Sequence, residues 1–349
     1  MKILHIVGAR PQFIKLAPLY NEMSAVGLRS SILHTGQHFD HNMSDIFFEE
    51  LKIPPPDYSL GISSLSHSSM TSQMMVGIES ALNGGEFDCM IVYGDTNSTL
   101  AGALAARQKN IKLIHIESGT RNFDDMMPEE INRIIVDRIS DVLFCNSERC
   151  YDNLTSESLW YNSKIYNCGD LMYDALKTYL PTALDLKPVC EEEYTLVTIH
   201  RAKNTDNPET LARIVENLNI ISQSTKIVFP AHPRVRQKLL NLRRNFEIIE
   251  PVGYLRMLNL AAYSELVITD SGGLVKEAYW LEKPTVSLLE NPVWPELVEL
   301  GACFNTGVNA MMKAYELAST RDCTFGSKVF GTGIAAKQIV EKILEERTP

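Results

Sequence analysis

Short runs of β-branched and apolar residues alternate with longer amphipathic stretches along most of this chain, and no other feature of it narrows the fold as sharply. Such alternation marks strand-helix-strand units, whose strands pair in parallel with helices on both faces of the sheet. Strands are expected at Lys2–Val7, Ser31–His34, Phe87–Tyr93, Lys112–Glu117, Val142–Cys145 and Lys164–Asn167, with helices at Gln12–Met23, Met70–Leu82, Ser98–Gln108 and Glu129–Ile139. The rhythm decays between Leu171 and Glu193, a stretch holding Pro181, Pro188 and several acids, and restarts at Tyr194–Ile199. A second series follows, with strands near Lys226–Phe229, Phe246–Ile249, Leu266–Thr269 and Thr285–Leu288 and helices at Pro208–Ile221 and Leu274–Leu281. At 349 residues the chain exceeds what one core usually holds. The expected fold class is therefore α/β, with doubly wound domains over residues 1–172 and 190–330 facing a cleft. A C-terminal helix within 331–349, centred on Ile334–Leu344, is expected to cap one of the two domains, packing back on the first being one option that periodicity does not decide.

Composition removes several classes of function. A formal charge of -10 argues against nucleic acid as a partner and supplies no global attraction for an anion, so any phosphate site must be built locally. No apolar run reaches the roughly 18 to 20 residues that span a bilayer, and the apolar N-terminus runs straight into a turn glycine, so no membrane or export segment is expected. Seven cysteines without a CxxC pair suggest reduced thiols and a cytoplasmic location. The eight histidines are scattered without metal-ligand spacing, and no metal site is expected.

In open α/β sheets the ligand crevice lies beyond the carboxyl ends of the strands. Gly8-Ala9-Arg10-Pro11-Gln12-Phe13-Ile14-Lys15 occupies such a place, with a proline suited to the first helical position and two cations, Arg10 and Lys15, placed to face an anion. It is not the GxGxxG of dinucleotide folds, and a solvated surface reading fits the same residues. Asp270-Ser271-Gly272-Gly273 opens a helix carrying Glu277. Two glycines there let phosphate oxygens approach backbone N–H groups, and Glu277 is placed to accept ribose hydroxyls; a plain helix cap is the alternative. Asp95, Glu117 and His200 each follow an apolar strand, and carboxylates in a closed cleft can exchange protons with a weakly acidic C–H. Read singly, Asp95 serves equally as a cap for the helix starting near Ser98, and Glu129 and Glu130 as acids favoured at a helix start. His232, between Ala231 and Pro233, is placed for a phosphate contact or a structural role.

Taken together and in order, these motifs resemble the non-hydrolysing UDP-N-acetylglucosamine 2-epimerase family. Its hallmarks are similar to Gly8-Ala9-Arg10-Pro11 through Lys15, Gly94-Asp95-Thr96, His115-Ile116-Glu117-Ser118-Gly119, Pro128-Glu129-Glu130-Ile131-Asn132-Arg133, His200-Arg201 and Asp270-Ser271-Gly272-Gly273 with Glu277. The resemblance implies two Rossmann-like domains of GT-B-like fold, no cofactor, and a homodimer. It implies anti elimination of UDP after proton removal at C2, then re-addition with the proton returned to the other face. Asp95, Glu117, Glu129 and His200 match the acid-base positions, Arg10 and Lys15 the anion-stabilising ones, and Ser271, Gly272, Gly273, Glu277 and His232 the UDP-binding ones.

The departures concern the sugar. Members acting on UDP-N-acetylglucosamine carry H-R-R-E where this chain has His200-Arg201-Ala202-Lys203, and the loop from Gly119 to Pro128 is shorter. Gln12-Phe13, His38-Phe39-Asp40, Asn97-Ser98-Thr99 and Val252-Gly253-Tyr254-Leu255 look more like the branch acting on UDP-2,3-diacetamido-2,3-dideoxyglucuronate in surface polysaccharide synthesis. A uronate asks for an extra cation, for which Lys203 and Arg201 are candidates, and a related branch acts on UDP-linked 6-deoxy amino sugars that carry no carboxylate. A UDP-sugar glycosyltransferase of the same architecture and a hydrolysing 2-epimerase are the rival readings, since the first would share the diphosphate cradle.

Overall fold

The computed structural model describes residues 1–37, 41–157, 159, 162–231 and 233–346. His38, Phe39, Asp40 and His232, singled out above, lie outside the described residues. The chain divides into two compact units, Met1–Thr178 together with the segment from Lys328, and Tyr179–Ser327.

The first unit is built on seven parallel strands, β1 (Lys2–Val7), β2 (Arg29–His34), β3 (Tyr58–Ser59), β4 (Cys89–Tyr93), β5 (Lys112–Ser118), β6 (Val142–Cys145) and β7 (Lys164–Asn167). Their order is β3-β2-β1-β4-β5-β6-β7, so the winding reverses between β1 and β4. The second unit has six parallel strands, β8 (Tyr194–Thr198), β9 (Lys226–Pro230), β10 (Ile248–Ile249), β11 (Leu266–Thr269), β12 (Thr285–Ser287) and β13 (Cys303–Asn305). The order β10-β9-β8-β11-β12-β13 reverses between β8 and β11. Each sheet therefore has one topological switch point, where crossovers leave in opposite directions and open a crevice.

Continuous apolar strands follow from burial on both faces. In the second sheet, Ile227 and Phe229 of β9 and Leu266 and Ile268 of β11 face one core, while Val228 and Val267, one residue out of phase, face the other with Tyr194 and Leu196. In the first sheet, Leu4, Ile6, Met90, Val92 and Leu113 pack with Met74, Ile78, Ala101 and Ala105 of the covering helices. At roughly 1.5 to 3 kcal/mol per buried aliphatic side chain, these layers set the strand faces firmly.

The stretch read as a decaying rhythm is in part a helix, Leu171–Leu184, and the division between units falls inside it. Leu171, Met172, Ala175, Leu176, Tyr179 and Ala183 are buried at helical spacing, which outweighs the cost of Pro181 within the helix. The C-terminal helix Ala335–Glu345 belongs to the first unit and packs against the helix Arg10–Ala25. Asp174 caps it, accepting from the N–H groups of Ala335 at 3.0 Å and Ala336 at 2.7 Å. Where this segment rejoins the unit, Gly169 and Gly331 cross at backbone distance: a Cβ on Gly331 would lie 2.9 Å from Gly169 Cα, and both have positive φ. Among the described residues no helix is long and apolar enough to cross a membrane.

Inside β1, His5 is fully buried, with Nδ1 2.7 Å from the Tyr93 hydroxyl, and burial pulls its pKa down to about 3. The folded chain holds this ring neutral, whereas the unfolded chain takes up a proton below the ordinary histidine value of 6.5. Stability is complete above that pH and falls as pH drops toward the folded value, by about 2 kcal/mol between pH 6.5 and 5. Urea unfolding of wild type and His5→Gln at pH 7 and pH 5 checks this: the wild type loses more stability on acidification, and equal losses would refute the assignment.

Candidate functional site

At the first switch point one side chain joins the two strand ends. The amide of Gln12 accepts at Oε1 from the N–H groups of Gly8 (2.7 Å) and Ala9 (3.0 Å), and donates at Nε2 to Tyr93 O (2.8 Å), Thr99 Oγ1 (3.0 Å) and Thr96 Oγ1 (3.1 Å). The N–H groups that a dinucleotide fold would turn to a phosphate are thus already used. Gly8 has no room for a side chain, since a Cβ would stand 2.0 Å from Thr35 Oγ1 and 2.3 Å from Ser98 Oγ.

From the helix that follows, Lys15 is buried and donates to Glu117 Oε1 at 2.5 Å. Glu117, the last residue but one of β5, has φ 66°, where the register with β6 shifts between Ile116 and Ser118. A non-glycine residue held in the left-handed region at a bulge is strained, and such strain gathers at functional sites. Gly94, also at positive φ, stands against this pair: a methyl on it would lie 3.4 Å from Glu117 Oε1 and 3.5 Å from Lys15 Nζ. Arg10 sits 5.5 Å over the Phe47 ring.

Asp95 is not the helix cap. That role falls to Thr96, whose side chain accepts from Thr99 N ahead of the helix Asn97–Gln108. The Asp95 carboxylate pairs instead with Arg133, and Asn132 Nδ2 donates to Asp95 O at 2.8 Å. Arg133 also donates to Glu130 Oε2 at 2.8 Å. Burial works against the Arg133 charge, but Asp95 and Glu130 outweigh it and raise its pKa.

The two acids at the start of the helix Pro128–Ile139 separate by environment. Glu130 is buried and holds the preceding loop, accepting from Phe123 N at 3.0 Å and Asn122 N at 3.2 Å. Glu129 is half-buried and has no hydrogen bond or ion pair among the described residues. Both lie in the first turn, where the helix dipole favours an acid, and Glu130 in addition holds the loop.

The second switch point is joined by a carboxylate. Asp270, fully buried after β11, accepts from the N–H groups of His200 (3.0 Å) and Arg201 (3.0 Å) after β8 and from Asn204 Nδ2 (2.9 Å). Burial pushes its pKa up, and the hydrogen bond and charge of His200, with the other donors, outweigh it and hold the carboxyl below the usual range. The His200 ring is more than half exposed, with Nδ1 3.1 Å from Asp270 Oδ1. Ser271 caps the helix Gly272–Trp280 through Leu274 N (3.3 Å). Among the described residues no acceptor pairs with the N–H groups of Gly272 or Gly273, which point from the first turn of that helix. Trp294 Nε1 donates to Gly272 O at 2.8 Å, its ring lies 4.0 Å from the buried Lys276 ammonium, and Glu277 is buried one turn in. The two candidate uronate cations are engaged elsewhere: Arg201 Nε donates to Asp270 O at 2.9 Å, and Lys203 pairs with Glu290 at 2.5 Å on the surface.

The structure thus brings Lys15 and Glu117 together beside Gly94 in the first unit, with Asp95 in the loop that follows Gly94. It brings His200, after β8, and Ser271, Gly272, Gly273 and Glu277, after β11, to the ends of two neighbouring strands in the second. Gln12, Arg133, Asn132 and Asp270 lie within the motifs but carry no signal of their roles, because each has a deciding partner 37 or more residues away. Among the described residues no three His, Cys, Asp or Glu side chains converge as metal ligands would.

Residues 22–344 match the family described as UDP-N-acetylglucosamine 2-epimerase. The chain is 43% identical, over 98% of its length and 99% of the relative's, to a UDP-N-acetylglucosamine 2-epimerase homolog of Methanococcus maripaludis. It is 42% identical, with the same coverage, to the UDP-2,3-diacetamido-2,3-dideoxy-D-glucuronate 2-epimerase of Pseudomonas aeruginosa. Among solved structures, the UDP-GlcNAc 2-epimerase of Methanocaldococcus jannaschii in complex with UDP-GlcNAc and UDP superposes with a TM-score of 0.91 at 37% identity, over 99% of this chain and 100% of that one. With matches this extensive over a GT-B-like α/β architecture, the chain belongs to the UDP-N-acetylglucosamine 2-epimerase family, a family of isomerases.

Proposed function

We propose that the chain interconverts a UDP-linked N-acetylated amino sugar and its C2 epimer, without hydrolysis and without metal or nicotinamide. The observation that carries this reading is the Lys15–Glu117 pair beside Gly94, with Asp95 next in the same loop, at one switch point, matched by a helix N-terminus with two glycine N–H groups and a buried Glu277 at the other. A carboxylate takes the C2 proton; the electron pair of that C–H bond becomes the C1=C2 bond as the C1–O bond breaks and UDP leaves with its pair. The 2-acetamidoglucal then takes UDP back at C1 and a proton at C2 from the opposite face. Asp95, Glu117, Glu129 and His200 are the proposed proton carriers, and Arg10 and Lys15 stabilise charge developing on the departing diphosphate. Ser271, Gly272, Gly273, Glu277 and His232 are the proposed UDP ligands, with the phosphates on the helix N-terminus and Glu277 on the ribose.

The proposed sugar is the 2,3-diacetamido-2,3-dideoxyglucuronate, with N-acetylglucosamine second. The departure of His200-Arg201-Ala202-Lys203 from H-R-R-E and the likeness to the Pseudomonas aeruginosa enzyme support it, although the Lys203 ammonium is paired with Glu290 and is not itself placed for the carboxylate. The manno-configured product would supply surface polysaccharide such as O-antigen, made in the cytoplasm by a homodimer. Seven free thiols fit that reducing compartment.

Proton NMR in deuterium oxide, with each UDP-sugar in a separate tube, tests the reading. Loss of the C2 proton signal with a UDP-linked epimer appearing is the expected result; transfer to an acceptor, or free sugar accumulating with UDP, would move the chain to a glycosyltransferase or a hydrolysing epimerase. Two variants separate the half-sites. Asp95→Asn is expected to lower C2 exchange by roughly a hundredfold or more while UDP affinity stays within a few-fold. Ser271→Ala combined with Glu277→Gln is expected to weaken UDP binding in titration calorimetry, and unchanged affinity would remove both from the nucleotide site.

A further inference from the structure

Resting on that reading of the reaction, we propose that His115 is a buried imidazolium whose two ring N–H groups position the loop carrying Asp95 and the strand end carrying Glu117. His115 lies within β5, and neither its side chain nor that of Asp137 has any solvent exposure. Nδ1 is 2.7 Å from Asp137 Oδ1, and Nε2 is 2.7 Å from the Gly94 carbonyl oxygen.

The protonation follows from the partners. A carbonyl oxygen can only accept. Asp137 Oδ2 already accepts from Gly119 N at 3.1 Å and faces Arg121 NH1 at 2.8 Å. These two donors, one of them a guanidinium, favour the ionised carboxylate of Asp137 whatever the state of His115. A neutral imidazole has one donor nitrogen and one acceptor nitrogen, which would set lone pair against lone pair in one of the two contacts. Both nitrogens therefore carry hydrogen. The charge is tolerated because the cluster balances: His115 and Arg121 stand against Asp137 and Glu157, the last paired with Arg121 at 2.7 and 2.9 Å.

What the ring holds is the geometry of the chemistry. Gly94 is the residue before Asp95, and its own N–H donates to Ile116 O at 2.9 Å, one residue before Glu117. Gly119, two residues after Glu117, is fixed by Asp137 on one side and by Asn153 Nδ2 on its carbonyl at 2.9 Å. Asp137 lies on the helix that also carries Glu129, Asn132 and Arg133. One cation thereby joins the loop after β4, the loop after β5 and that helix. His115 touches no substrate in this account; it is a positioning residue.

Two measurements test it. In 15N-histidine-labelled wild type near pH 8, one ring is expected to show two protected N–H resonances with imidazolium nitrogen shifts, absent from His115→Gln; a single N–H in every protected ring would overturn the proposal. In His115→Gln, kcat for C2 exchange is expected to fall on the order of a hundredfold with KM and UDP affinity little changed, because the loops are displaced but the nucleotide half-site is untouched. An unchanged kcat would overturn the positioning role. Should the variant not fold, the wild-type resonances still decide the ring's state. Should wild type show no C2 exchange with either UDP-sugar, the reaction reading fails independently of those resonances.

Discussion

Each sheet is organised by what closes its switch point. Parallel strands that part in opposite directions leave backbone N–H and C=O groups facing a crevice, and these must find partners. In the first unit the Gln12 amide takes both N–H groups after β1 and gives its own to the end of β4. In the second the Asp270 carboxylate takes both N–H groups after β8. Neither turn after the first strand of its sheet is then available to cradle a diphosphate. The N–H groups of the glycine pair after β11 have no such partner among the described residues, which is why the proposed diphosphate site lies there.

Charge in the first unit is handled the same way, by sharing. Arg133 serves Asp95 and Glu130, Lys15 serves Glu117, and Asp137 serves His115, Arg121 and Gly119 N. Carboxylates held by cations on a rigid scaffold need little rearrangement when charge develops on a leaving group, which is the economy of a preorganised site. The strain at Glu117 is supported by this network rather than by its own strand pairing.

The strands and long helices were legible because both-face burial writes itself as uninterrupted apolar runs, as in β4, β6 and β11. The helix Tyr254–Tyr263 was not read: its buried face mixes Tyr254, Leu258 and Ala261 with a polar Asn259, which donates to Ala183 O and Leu186 O. The two-residue strand β3 is too short for any periodicity. Site motifs were visible as residue types at strand ends, yet their roles were not. Whether Asp95 capped a helix was decided by Thr96, its immediate neighbour, and by Arg133, a partner 38 residues away. Lys15 and Glu117 are 102 residues apart, and nothing local in either segment announces the pair.

The central claim is that the C1–O bond breaks and re-forms with UDP retained. A UDP-sugar carrying 18O only in the bridge between C1 and the β-phosphorus tests it most directly, by 31P NMR of recovered substrate. Elimination frees the β-phosphate to rotate, so the account predicts that the label spreads into non-bridging positions as epimerisation proceeds. Epimerisation with the label kept wholly in the bridge, under conditions where free UDP exchanges with the bound nucleotide and none is incorporated, would contradict the account.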